Sequence, residues 1–224
     1  MATKRNSFDG GTNTTVITEG NSGGGSGDAL EYVSGSPTYS TTQAHSGTLA
    51  AAFPASANTS IGFELSASVF WVRFYAYLAQ HVAHDLLSLW AAVNAGGSFL
   101  GGIATKVNGN LSLFSGGSSV DVSGAAITLN QWIRIEAMWS TTGGASIELY
   151  NSPDSTTPTT TASIASNLAS AVATQELKRA TVVTTISYFD DYAVSSDGPL
   201  GPAVDPVPRS AWIARTAVHR ASRW

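Results

Sequence analysis

The feature of this sequence that most constrains its fold is a regular succession of short β-type segments. Segments rich in β-branched and aromatic residues are separated by Gly, Ser, Asn or Pro at intervals of about ten residues, the pattern of an all-β chain. Glycine pairs or Asn-Gly stand between them, as at Gly96-Gly97 and Asn108-Gly109, which suits hairpin loops that need positive φ angles. The pattern predicts no helix before residue 205.

Two segments show strand alternation most clearly. Val69 to Leu78 places apolar residues on one face, namely Phe70, Val72, Phe74, Ala76 and Leu78. Its other face carries Val69, Trp71, Arg73, Tyr75 and Tyr77. Asn130 to Trp139 repeats the pattern, with Ile133, Ile135, Ala137 and Trp139 inward and Arg134 and Glu136 outward. We expect both strands near the centre of a sheet.

Many more strands are expected along the chain. They are predicted at 15–18, 28–33, 47–53, 60–65, 86–93, 98–106, 110–115, 145–151, 157–163, 180–186 and 188–195. A single open sheet of this size would leave a large face or a long edge unprotected. The sequence therefore predicts two antiparallel sheets packed as a sandwich or jelly roll.

Composition and charge narrow the functional class. The chain has no cysteine, which excludes disulfides and thiolate metal sites, and no apolar run long enough for a membrane span. Residues 1–204 contain seven Lys or Arg against fourteen Asp or Glu, whereas 205–224 contains four Arg and only Asp205. An acidic body does not suit nucleic-acid binding, which needs clustered Lys and Arg.

Proline marks the end of the domain. The Gly- and Pro-rich run from residue 198 to 208 favours an extended chain. We therefore predict a domain over 1–198, followed by a linker and arm over 199–224. The Gly-rich stretch 20–27 is interpreted as a loop inside the fold, because the residues before it are too few to form a core.

Both ends of the domain resemble a known family. Asn6-Ser7-Phe8-Asp9-Gly10-Gly11-Thr12, Asn21-Ser22-Gly23-Gly24 with Gly27-Asp28-Ala29, and Ala44-His45-Ser46-Gly47-Thr48-Leu49 resemble the start of concanavalin A-like (laminin-G-like) jelly-roll domains and related carbohydrate-binding modules. Tyr188-Phe189-Asp190-Asp191-Tyr192-Ala193-Val194 resembles their closing strand. The resemblance covers 6–199 and implies a two-sheet jelly roll. Glycine-rich versions also look like structural proteins of actinobacterial phages, in which the domain decorates a capsid or lies on a tail.

Enzyme chemistry is not expected. Glycoside hydrolases on this fold use carboxylates two or four residues apart on one strand. No acidic neighbour stands at those spacings beside Glu31, Glu64, Glu136, Glu148 or Glu176. There is also no Gly-x-Ser-x-Gly elbow, so the sequence predicts a non-enzymatic protein.

One face of the sheet is a candidate sugar platform. The outward residues Trp71, Arg73, Tyr75 and Tyr77, with Arg134, Glu136, Glu148 and Tyr150, could stack on sugar rings and bind hydroxyls on the concave sheet. The alternative is that a loop or another protein chain covers this face, because an exposed aromatic patch of this size seldom stays bare.

Two acidic or histidine-containing sets are candidate metal ligands. The resemblance implies that Asp9, Asp190 and Asp191 could hold a structural calcium between the first and last strands, with carboxylate oxygens as ligands. The alternative is that Asp190 accepts backbone N–H bonds in a turn and Asp191 is solvated. His81, His84 and Asp85 could suit zinc, but a polar hairpin connection is favoured because no second segment supplies ligands.

The C-terminal arm is a candidate docking segment. Residues 210–224 can form a short amphipathic helix or an extended peptide, and Trp and Arg dominate binding hot spots. The predicted partner-binding residues are Trp212, Ile213, Arg215, Val218, Arg220, Arg223 and Trp224. The alternative is a disordered terminus, as most chain ends are.

These features lead to two functional hypotheses, of which the first is favoured. The leading hypothesis is a phage virion protein, a capsid decoration or minor tail protein, that displays the jelly roll at the virion surface and docks onto a capsid or tail protein by its arm. Residues 1–7 contain no apolar signal-peptide region, which fits assembly in the host cytoplasm before release. We expect an oligomeric or arrayed protein with no membrane partner and a possible glycan ligand. The second hypothesis is a carbohydrate-binding module of a secreted bacterial protein.

Overall fold

A computed structural model describes residues 2–81, 87–179 and 183–203. Within these ranges the chain forms fifteen β-strands and one 3-10 turn, Glu19–Asn21. The strands are β1 (Thr3–Asn6), β2 (Tyr32–Ser34), β3 (Thr38–Ser40), β4 (Ala50–Phe53), β5 (Thr59–Ala67), β6 (Val69–Tyr77), β7 (Leu87–Val93), β8 (Phe99–Thr105), β9 (Leu111–Ser115), β10 (Ser118–Val122), β11 (Trp132–Ser140), β12 (Ala145–Tyr150), β13 (Thr160–Ile164), β14 (Val172–Arg179) and β15 (Ser187–Ser195). No helix in these ranges has the length and hydropathy to cross a bilayer.

The strands form two antiparallel sheets. Sheet I has the order β13-β12-β11-β6-β15-β4-β3, and β1 also pairs with β15. Sheet II has the order β10-β9-β8-β7-β14-β5-β2. Because their apolar faces pack against each other, the domain is a jelly-roll sandwich, which confirms the predicted all-β fold class.

The core between the sheets is rich in aromatic residues. The predicted inward residues of β6 and β11 are buried, and these two strands are neighbours. Trp90 from sheet II stacks on Trp139 from sheet I at 4.4 Å between ring centroids. Trp139 Nε1 donates to the Phe114 carbonyl at 2.9 Å, and Trp90 Nε1 donates to the Tyr192 hydroxyl at 3.3 Å. Each indole therefore keeps a polar partner inside the core.

The closing strand β15 joins both ends of the domain. It pairs with β6 along one edge, and with β4 and then β1 along the other, where Thr3 lies opposite Ser195. A bulge between Asp190 and Ala193 places Asp191 at a φ of 46°. The extra residue lets Phe189 and Tyr192 both face the core although they are three positions apart.

Several predicted strand positions are wrong. The segment 183–186 forms no strand, and residues 180–182 lie outside the described part of the chain. The strand β14 lies wholly before this segment, carries a bulge at Val172/Thr174 and was not predicted. The segment 15–18 contributes only an isolated bridge from Val16 to Thr38. Strands β1, β3 and β10 were not predicted, since their apolar alternation is too short to detect.

Candidate functional site

Adjacent strands β6 and β11 bring the predicted platform residues together on the outer face of sheet I. The antiparallel register places Arg73 opposite Glu136 and Tyr75 opposite Arg134. Trp71 and Tyr77 flank these pairs on β6. We call this surface the platform face, defined by Trp71, Arg73, Tyr75, Tyr77, Arg134 and Glu136.

Most of the platform face is covered. Tyr75 and Arg134 are 0% exposed, Arg73 is 5% exposed and Glu136 is 9% exposed. Only Trp71 keeps partial exposure near the centre, with Tyr77 further along the strand. This is the covered arrangement that the sequence left open as an alternative, and a sugar-binding role for these six residues stays a prediction.

The chain's own C-terminal segment supplies part of the cover. We call residues 199–203 the C-terminal strap. Gly201 N donates to Glu136 Oε2 at 3.1 Å, and Arg73 Nη1 donates to Gly201 O at 3.0 Å. Ala203 N donates to the Tyr75 hydroxyl at 2.8 Å. Three platform residues therefore bind the backbone of the strap.

The loop after β12 covers Arg134. Its guanidinium donates to Pro153 O and, at 2.8 Å, to Ser155 O. Arg134 also stacks over the Tyr150 ring at 3.8 Å. Its Nε lies 2.8 Å from Glu136 Oε1, an ion pair whose approach is out of line for a hydrogen bond. These contacts give Arg134 a structural role under the platform face.

His45 completes this cluster, and the sequence did not single it out as a site residue. Its ring stacks on Tyr75 at 3.8 Å between centroids. Nδ1 lies 3.0 Å from Asp191 Oδ2, and Nε2 lies 3.3 Å from the exposed Asp154. The Asp191 contact has hydrogen-bond geometry, whereas the Asp154 contact is within ion-pair distance only.

The predicted calcium ligands brace the loop that contains His45. Asp190 Oδ2 accepts from His45 N at 2.8 Å and from Ser46 N at 3.2 Å. Asp9 Oδ1 accepts from the backbone of Thr48 and Leu49 at 2.7 and 3.2 Å. Burial and the neighbouring Asp191 charge raise the pKa of Asp190 well above its usual value, against the lowering effect of its backbone N–H bonds.

Predicted metal ligands from both sets contact other groups of the chain. Asp191 is buried and accepts from Ser46 Oγ at 3.1 Å, so it is not merely solvated. Across the described ranges, no group of three or more His, Asp or Glu side chains is arranged to hold a metal ion. His81 Nε2 lies 3.2 Å from the Ile127 carbonyl, while His84 and Asp85 lie outside the described residues. Structural calcium at Asp9, Asp190 and Asp191 stays a prediction.

The structure also pairs two carboxylates that the sequence separated. Glu136 on β11 lies directly opposite Glu148 on β12. Both line a cavity of about 170 Å³ with Trp71, Met138, Pro199 and Leu200. Tyr150 donates to Glu148 Oε2 at 2.5 Å, and burial raises the pKa of Glu136 against the opposing charge of Arg134. A search for acids on one strand cannot find a pair that forms across two strands.

The predicted partner-binding residues cannot be placed. Trp212, Ile213, Arg215, Val218, Arg220, Arg223 and Trp224 all lie outside the described residues. The described chain ends at Ala203, the last residue of the strap, whose N–H donates to the Tyr75 hydroxyl.

Comparison with known proteins shows the fold. No protein-family model and no curated protein sequence matches the chain. Among solved structures, the cellulose-induced protein Cip1 is similar with a TM-score of 0.59 and 14% identity, over 89% of this chain and 99% of Cip1. The botulinum neurotoxin serotype G binding domain has a TM-score of 0.54 and 12% identity, over 98% of this chain and 51% of that one.

A phage protein is among the similar structures. A carbohydrate esterase of the Shiga toxin-encoding bacteriophage phi24B has a TM-score of 0.52 and 10% identity, over 73% of this chain and 88% of the esterase. At these identities the likeness shows the fold alone. The chain thus has the β-sandwich fold that these otherwise dissimilar proteins share.

Proposed function

We propose that this chain is a non-enzymatic structural protein of a phage virion, which displays the jelly roll and docks to the particle by residues 199–224. The observation that carries the proposal is the C-terminal strap. Three hydrogen bonds hold its backbone to the buried residues Arg73, Tyr75 and Glu136. The arm therefore begins at a fixed position on sheet I. Docking of the arm would then also set the orientation of the domain.

The composition of the arm supports docking. Residues 205–224 contain four Arg and two Trp, whereas the preceding residues are acidic overall. Trp and Arg are the side chains most enriched at binding hot spots. An arm of this composition suits a pocketed, anionic surface on a capsid or tail protein.

Two observations support the phage assignment. The glycine-rich style of the sequence resembles phage structural proteins, and the same sandwich occurs in the phi24B esterase, a protein that a phage encodes.

Removing the arm tests the proposal. A chain truncated after Ala203 keeps every strap contact described above, and its thermal unfolding is compared with that of the full chain to check that it folds. Mixed with purified particles of the encoding phage, it should fail to co-sediment, and the full-length double variant Trp212→Ala/Trp224→Ala should bind weakly. Co-sedimentation of the truncated chain at the full-length level would refute docking by the arm.

A carbohydrate-binding module is the second candidate, and the cavity beside Trp71 favours it. A partly exposed indole next to Glu136 and Glu148 combines a stacking surface with hydroxyl acceptors. Loss of glycan-array signal in Trp71→Ala, with the signal retained in the exposed-surface control Val16→Ala, would support this candidate. An array signal that does not change in Trp71→Ala would exclude the cavity.

A further inference from the structure

The outer face of sheet II carries an open groove on the opposite side of the sandwich from the strap. Its volume is about 710 Å³, within the range of small-ligand sites. Four strands or their connecting turns contribute polar side chains to it: Tyr32, Glu64, Asn94, Thr174, Glu176 and Lys178. The platform face and its residues take no part in this groove.

Small residues stand on both sides of the groove residue Glu176 in the sheet. Tyr32, Gly62, Glu176 and Ala91 lie in register across β2, β5, β14 and β7. Glu176 thus stands between a residue with no side chain and a residue with one methyl group. A Cβ atom on Gly62 would lie 2.3 Å from the Gln175 carbonyl oxygen, so a larger residue does not fit there.

The wall formed by β2 is held in place by Glu31. Glu31 Oε2 accepts from Glu64 N at 2.8 Å and pairs with Lys4. Lys4 also donates to the Glu64 carbonyl at 2.8 Å. These contacts link β1, β2 and β5, which keeps Tyr32 at the groove edge with 37% of its surface exposed.

The polar groups in the groove match hydroxyl chemistry. Glu176 is 6% exposed, and burial raises its pKa although Lys178 opposes the shift. Lys178 Nζ lies 3.9 Å from Glu176 Oε2, so a donor and an acceptor stand side by side. A sugar hydroxyl donates one hydrogen bond and accepts others, and can use both.

The same features argue against other occupants. Val93 is the one aliphatic lining residue larger than alanine, so the groove offers a protein partner no large apolar anchor. The β5, β14 and β7 backbones are already paired on both edges, which excludes strand addition to these three strands. Glu31, Glu64 and Glu176 outnumber the neighbouring Lys4 and Lys178, which disfavours an anionic ligand.

We propose that this groove binds an uncharged saccharide chain, with a sugar ring stacked on Tyr32 and hydroxyl groups bound by Glu176 and Lys178. The site lies on the face opposite the strap, so a protein docked through its arm can still present the groove outward. The proposal does not depend on the arm or on the particle.

The test is a glycan array with the full-length chain, followed by calorimetry on the best neutral oligosaccharide. Tyr32→Ala should weaken binding about tenfold, as loss of a stacked aromatic does at a hot spot. Glu176→Gln keeps the shape and should weaken binding less. The matched control is Phe99→Ala, which removes an aromatic that is 54% exposed on sheet II and does not line the groove.

Each outcome has a defined meaning. Thermal unfolding of every variant separates loss of binding from loss of fold, and Tyr32 lies on a short edge strand where truncation should be tolerated. Signal restricted to anionic glycans, no neutral-glycan signal, or equal affinity in Tyr32→Ala would overturn the proposal. Co-sedimentation of Tyr32→Ala with particles should stay normal, so the groove and the arm can fail separately.

Discussion

The strap should loosen when the Tyr75 hydroxyl is removed. Tyr75→Phe keeps the ring that stacks on His45 at 3.8 Å but deletes the acceptor that Ala203 N uses at 2.8 Å. A hydrogen bond of this kind contributes about 1 kcal/mol net, which corresponds to about a fivefold increase in the opening equilibrium of the strap. Gly201 N still donates to Glu136 and Arg73 still donates to Gly201 O, so the strap should open more often without detaching.

Hydrogen exchange followed by mass spectrometry measures this opening directly. Peptides that contain residues 200–203 should exchange about fivefold faster in Tyr75→Phe, while peptides from β6 and β11 keep their protection. Tyr77→Phe is the matched control, because Tyr77 lies on the same face and makes no described contact with the strap. Unchanged exchange at 200–203, or a general loss of protection, would refute the idea that Tyr75 holds the strap locally.

Three further predictions concern stability. Trp139→Ala should lower the free energy of unfolding by about 3–5 kcal/mol in urea titrations, because a fully buried indole and its bond to Phe114 O are lost. Burial raises the pKa of Glu136, Glu176 and Asp190, so the folded state retains protons that the unfolded state releases. The free energy of unfolding should therefore fall as pH rises from about 4 through the folded pKa values. A rise in the urea midpoint over this range would contradict the prediction. Calcium should raise the melting temperature of the wild-type chain but not of Asp190→Asn, and equal melting temperatures with calcium and with chelator would refute a structural calcium.

The platform face shows which features of burial strand alternation can predict and which it cannot. Alternation along β6 and β11 correctly divided inward from outward residues, because successive side chains of a strand point to opposite faces. It could not tell that Tyr75 and Arg134 are fully buried on the outward face. Their cover comes from residues 199–203 and 153–155, whose positions depend on contacts between distant parts of the chain.

The acid pair and the groove also depend on contacts between distant parts of the chain, which strand alternation cannot predict. Glu136 and Glu148 are twelve positions apart in sequence and meet only through the β11–β12 register. The row of Tyr32, Gly62, Glu176 and Ala91 draws on four separate strands. Shifting any one of these strands by one residue would turn the side chains of that strand to the other face.

The sequence by itself determined the all-β class, two strands near the centre of a sheet and the acidic body with its basic arm, because period-two alternation, turn residues and charge are local properties of the chain. Only the tertiary structure decided that the strap covers part of the platform face, that Asp9 and Asp190 brace the His45 loop, and that a groove opens on sheet II. These depend on register and on which segment covers which face. Both are set by contacts between residues far apart in the chain, and local pattern carries no information about them.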